Sequence, residues 1–168
     1  MSNTVLQPNV ELVHEIFREA CSYSARKLRL SDQEVVKRLQ NGCPSAHGYF
    51  RYSLAQQLAS YMGDVDDKIK AGYLFGSSLG EELQPTSNIN ILFWVTQQSP
   101  ALSSLLGWFE SQFLAEYKRL LGTGVQRMDT LLDTHLITDE DVEKKIGYAS
   151  LVNSLHAPAL KIWERPQG

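Results

Sequence analysis

Val10, Val13, Ile16, Phe17, Ala20, Cys21 and Leu28, with Ser24 in step, recur at intervals of three and four positions. That period predicts an amphipathic helix over residues 9–28. His14 falls inside it beside Glu11 and Glu15, on the polar side, and reads as a surface histidine. Ser31 followed three positions later by Glu34 has the spacing of a capping box, in which the hydroxyl accepts a free backbone N–H and the carboxylate reaches back. A second helix is therefore expected over 32–40, stopped at Asn41-Gly42. After a break at 43–45, Tyr49, Tyr52, Leu54, Leu58 and Tyr61 suit a third helix over 46–62, ended near Gly63.

Beyond the polar turn at 64–67 the pattern changes. Residues 69–75 form a short apolar and aromatic run that enters Gly76-Ser77-Ser78-Leu79-Gly80, the signature of a strand feeding a tight turn. Residues 89–95 are apolar at nearly every position, which predicts a strand buried on both faces. Ser99-Pro100 supplies an N-cap and a first-turn proline for a long helix over 101–121, stopped at Gly122. A third strand is expected over 125–132. Thr138 with three acids after it is expected to cap a short helix, because the helix dipole favours acids in the first turn. A last strand is expected over 159–163. Helices first, then strands mixed with helices, predict an α/β or α+β domain. Its small mixed sheet would have three to five strands, with helices mainly on one face and extra helices at the N-terminus.

The 168 residues suit one domain, with 1–45 as a helical extension and 46–165 as the core. Nineteen acids against sixteen Lys and Arg give a formal charge of -3, so a sequence-independent nucleic-acid coat is disfavoured. The absence of a long apolar run or a leader-like start makes a membrane span unexpected and a cytoplasmic location the default. Cys21 and Cys43 are too few for a disulfide framework or a four-ligand zinc site and read as buried thiols. His47, His135 and His156 lack the spacing of a helical metal motif, so no zinc site is expected. Phe93, Trp94, Trp108, Phe109, Phe113 and Tyr117 are most simply core. Tyr49, Tyr52 and Tyr61 are candidate anchors for a protein partner or a second copy on the N-terminal helices.

The stretch with candidate chemistry runs from Gly76 to Ile91. Gly76 and Ser77 end a strand where free backbone N–H groups and a hydroxyl could hold a phosphate. Asn88 and Asn90, two apart at the start of the next strand, would point to one face. Structural work is the competing role for these two amides, capping the strand and hydrogen-bonding the Gly76 turn. With Pro85 and Ser87 in the connecting loop, this order of features resembles the nucleotidyltransferase superfamily of DNA polymerase beta-like fold, in its small single-domain form. The resemblance covers about 46–165, and Lys161-Ile162-Trp163-Glu164-Arg165 is similar to the family's closing strand.

The resemblance implies an Asp-x-Asp pair where this chain has Asn88-Ile89-Asn90, and a later acid that Asp129 would supply. In that family the three acids hold two magnesium ions on the triphosphate. Amide oxygens carry no charge, and Mg²⁺ prefers carboxylates and phosphates. The chain is therefore expected to be a degenerate relative acting as a binding or interaction module, with Gly76, Ser77, Asn88 and Asn90 toward a nucleotide and with no cofactor. The alternatives are an enzyme, active with magnesium through Asp129 or silenced by engineered Asp-to-Asn changes, and a homo-oligomeric scaffold.

Overall fold

The computed structural model describes residues 8–76, 83–152 and 159–166. In chain order these form α1 (Val10–Leu28), α2 (Asp32–Gln40), α3 (Pro44–Val65), β1 (Ile69–Phe75), β2 (Ile89–Val95), α4 (Pro100–Leu121), β3 (Leu132–Thr138), α5 (Asp139–Lys144) and β4 (Leu160–Glu164). The sheet order is β3-β2-β1-β4. β1 runs antiparallel to both β2 and β4, while β2 and β3 are parallel and joined through α4. This is the α+β architecture expected from the pattern, with helices leading the chain. Among the described residues no helix is long and apolar enough to cross a membrane.

One face of the sheet carries the main core. Ile69 and Leu74 of β1 and Ile89, Ile91, Phe93 and Val95 of β2 meet α1, α3 and α4 there. Phe17 of α1 sits edge-on to Phe50 of α3 and Phe113 of α4, at centroid distances of 5.7 and 5.2 Å. The N-terminal helix thus shares the core of the sheet. A smaller core of Ala71, Tyr73, Phe75, Leu92, Ile137 and Ala149 lies on the opposite face, against α5 and a 3-10 turn at Gly147–Leu151. Both faces of β2 are covered, which explains why it is apolar at every position but Asn90.

The capping box of Ser31 with Glu34 forms on α2 as expected, and the expected Thr138 cap of α5 is itself a capping box, with Asp141. Cys43-Pro44 does not separate two elements but starts α3, with Pro44 in the first turn. Cys43 is half-buried, and its hydrogen bond to Ser45 is the main cause of a lowered thiol pKa. Burial pushes the Cys21 thiol up to about 11.

α3 runs through Gly63 instead of ending there. The glycine serves packing: a Cβ on it would lie 2.2 Å from the Trp163 ring of β4. Arg165 closes the same corner. Its guanidinium donates to the carbonyls of Gly63 (2.7 Å) and Asp66 (2.9 Å) at the end of α3 and of Ile69 (2.9 Å) at the start of β1, tying the helix end to the strand. Gly63→Ala is accordingly expected to lower stability by about 1–3 kcal/mol, as overpacking does. Thermal melts of this variant alone and with Trp163→Leu check it, since the smaller side chain should recover much of the loss.

The third strand begins at Leu132, not 125. Residues 122–125 form a 3-10 turn, and Val125, Met128 and Leu131 are plugged into the main core from irregular backbone. β3 is a sheet edge, so its middle residues Asp133, Thr134 and His135 stay only half-buried. An edge strand tolerates such polar residues.

Candidate functional site

Gly76 ends β1 with φ +69, a left-handed conformation that favours glycine. A Cβ there would lie 2.9 Å from the Asn90 amide nitrogen, so Gly76 packs directly against that side chain. Phase along β2 puts Asn90 on the face of Leu92 and Trp94. Its neighbours in register are Phe75 on β1 and Asp133 on β3. Ser77, and His156 among the histidines, lie outside the described residues.

Asn88 precedes β2 and accepts a long hydrogen bond from Thr130 Oγ1, 3.4 Å away. It lines a cleft of about 350 Å³ with Thr86, Gly124, Arg127, Asp129 and Thr130. Asp129 is exposed in the irregular segment before β3. The expected strand position for it is therefore not found: it shares a cleft with Asn88, whereas the acid in register with Asn90 is Asp133. Sequence reading passed over Asp133 because the strand was placed seven residues early.

His135, two positions along β3, shares the face of Asp133. Its ring lies 3.9 Å from the Tyr148 ring and 5.9 Å from that of Phe75. Its Nε2 is 3.1 Å from Asp133 Oδ1 yet out of line for a hydrogen bond, and no described group hydrogen-bonds to that buried nitrogen.

These donors do not fit two magnesium ions. Of positions 88, 90 and 133 only Asp133 is a carboxylate, and amide oxygens bring no charge to a hard dication. Among the described residues no group of three or more His, Cys, Asp or Glu converges on a metal position.

The loop leading to Asn88 is held from beneath by a buried arginine that the sequence did not single out. Arg51 of α3 is 1% exposed. Its guanidinium donates to the carbonyls of Ser87 (2.5 Å), Pro85 (2.8 Å) and Gln84 (3.3 Å) and to the Tyr117 hydroxyl (2.8 Å). Tyr117 in turn donates to Pro85 O at 2.6 Å. No carboxylate offsets Arg51 among the described residues, so carbonyl dipoles carry the compensation, and burial lowers its pKa. His47 completes the cluster, with Nε2 2.8 Å from Leu39 O and Nδ1 3.5 Å from the Tyr117 hydroxyl. Since a carbonyl only accepts, Nε2 carries the proton.

The three candidate interface tyrosines divide. Tyr49 and Tyr52 line a groove of about 450 Å³ with Tyr23, Ser45, Gly48, Leu74 and Leu160. Tyr61 instead packs edge-on to Phe109 at 5.3 Å, against the core.

No family model, curated protein or solved structure matches the chain.

Proposed function

We propose that the chain is a nucleotidyltransferase-like module that binds a nucleotide without transferring it. The supporting observation is one local arrangement: Gly76 seated on Asn90, with Asn90 in register with Asp133. The Gly turn and strand face that the resemblance calls for are adjacent, while the charge that would hold metal is reduced to one carboxylate. In this reading Asp133 takes the place first given to Asp129, and the Asn88 cleft receives further phosphate or ribose oxygens of the ligand. Thr86, Thr130 and Arg127 there offer hydroxyl and guanidinium donors suited to phosphate or ribose oxygens.

Without a metal clamp, affinity would rest on backbone N–H groups, hydroxyls and the Arg127 guanidinium. Calorimetric titration with ATP is expected to show binding whose strength changes less than twofold when Mg²⁺ is replaced by EDTA. Absence of binding under both conditions would remove the nucleotide from the proposal. Tight binding only with Mg²⁺ would favour the enzyme.

A further inference from the structure

Along α3, Ser45, Gly48, Tyr49 and Tyr52 fall at i, i+3, i+4 and i+7 and share one face of the helix. That face opens onto the groove of about 450 Å³, which Tyr23 of α1 and Leu74 and Leu160 of the sheet complete. The Tyr23 ring lies 5.8 Å from that of Tyr52 and 6.3 Å from that of Tyr49, so the three rings form one aromatic surface.

Gly48 has no structural reason to be a glycine. In a helix interior glycine is less favourable than any residue but proline. Neither packing nor backbone requires it here, because a Cβ would meet nothing within 4 Å and φ is not left-handed. The residue is nevertheless half-buried. What its missing side chain leaves open is the groove.

The polar chemistry of the groove is one-sided. Its lining holds hydroxyls and no carboxylate, and those of Tyr23, Tyr49 and Tyr52 hydrogen-bond to no described group. Lys27, one turn from Tyr23, has its Nζ 5.5 Å from the centre of that ring and pairs with no acid among the described residues. Phenol donors and an unpaired ammonium beside a neutral aromatic surface suit an apolar body with an anionic head.

We propose that this groove binds a small aromatic carboxylate, with its ring against the tyrosines above Gly48 and its carboxylate toward Lys27. The volume lies within the range of small-molecule sites. The site stands whether or not the chain binds nucleotides, since it shares no residue with the Gly76 turn or the Asn88 cleft.

Titrating the full chain with naphthalene-2-carboxylate, followed by amide chemical shifts, tests the proposal. The matching alcohol, 2-naphthalenemethanol, and 2-naphthylmethylammonium are the neutral and cationic comparators. Shifts should centre on residues 23, 45–52 and 160. The carboxylate is expected to bind about two- to fivefold tighter than the alcohol, as an exposed ion pair allows, and equally in Lys27→Met. Gly48→Leu should weaken the carboxylate by about tenfold or more while raising the melting temperature, because leucine fills the groove and favours the helix. Shifts centred elsewhere or absent, ammonium bound as tightly as carboxylate, or unchanged binding in Gly48→Leu would overturn the site. Shifts that follow protein concentration instead of ligand would assign the groove to a second copy and overturn it equally.

Discussion

Replacing Arg51 with methionine is expected to cost about 3–5 kcal/mol, a large share of a domain's total stability. The methionine keeps the apolar stem but strips the donor from Ser87 O, leaves Gln84 O with only the Ser87 N–H and Pro85 O with only the Tyr117 hydroxyl, and removes a donor from that hydroxyl. Leaving Ser87 O unpaired costs about 1–3 kcal/mol, partly recovered where the loop can relax toward water, and each bond lost at Gln84, Pro85 and Tyr117, which keep another partner, adds about 0.5–1.5 kcal/mol. Arg51→Lys should recover little, since one ammonium cannot reproduce a fork that reaches three carbonyls. Urea unfolding gives the magnitude. Hydrogen exchange should show residues 84–88 opening first in the lysine variant, because these donors are what tie that loop to α3. A loss below about 1 kcal/mol in Arg51→Met would mean that the loop is held by its own contacts.

Acid should weaken the same cluster through His47. Burial, reinforced by the Arg51 charge and opposed by the Leu39 carbonyl, lowers its pKa from 6.5 to about 4. The unfolded chain therefore takes up the proton before the folded one. The stability held by neutral His47 is fully present above pH 6.5 and is lost as pH falls through 4. At 1.36 kcal/mol per pH unit the gap amounts to about 3 kcal/mol. Glutamine keeps a donor for Leu39 O but does not titrate, so His47→Gln should flatten the stability profile between pH 6.5 and 4. Denaturant midpoints of both proteins across that window check it, and parallel profiles would contradict the assignment to His47.

Much of the fold was legible because its elements obey local rules. The capping box at Ser31, the N-caps at Thr138 and Ser99 and the apolar runs of β1 and β2 are set by neighbours within a few residues. Each was recovered with its ends nearly right. Gly63 was misjudged because its partner, Trp163, is a hundred residues away, and a packing glycine resembles a helix stop when seen alone. β3 was displaced because an edge strand need not alternate cleanly, and its polar centre hid it behind the apolar plugs Val125 and Met128.

The candidate site followed the same division. The adjacency of Gly76 and Asn90 was implied by a strand, a turn and a second strand. The partner acid depended on the register of β2 with β3, which places Asp133 beside Asn90 and leaves Asp129 outside the sheet. Arg51 gave no signal, since its partners are backbone carbonyls and carry no sequence identity.

The measurement closest to the central claim restores the missing charge. If Asn88, Asn90 and Asp133 mark a degenerate metal cleft, the double variant Asn88→Asp, Asn90→Asp should acquire Mg²⁺-dependent ATP binding, at least tenfold tighter with the ion than with EDTA. The parent chain should remain nearly indifferent to the ion. A folded double variant with no gain in magnesium dependence would show that these positions do not converge on a common ligand, and would contradict the account.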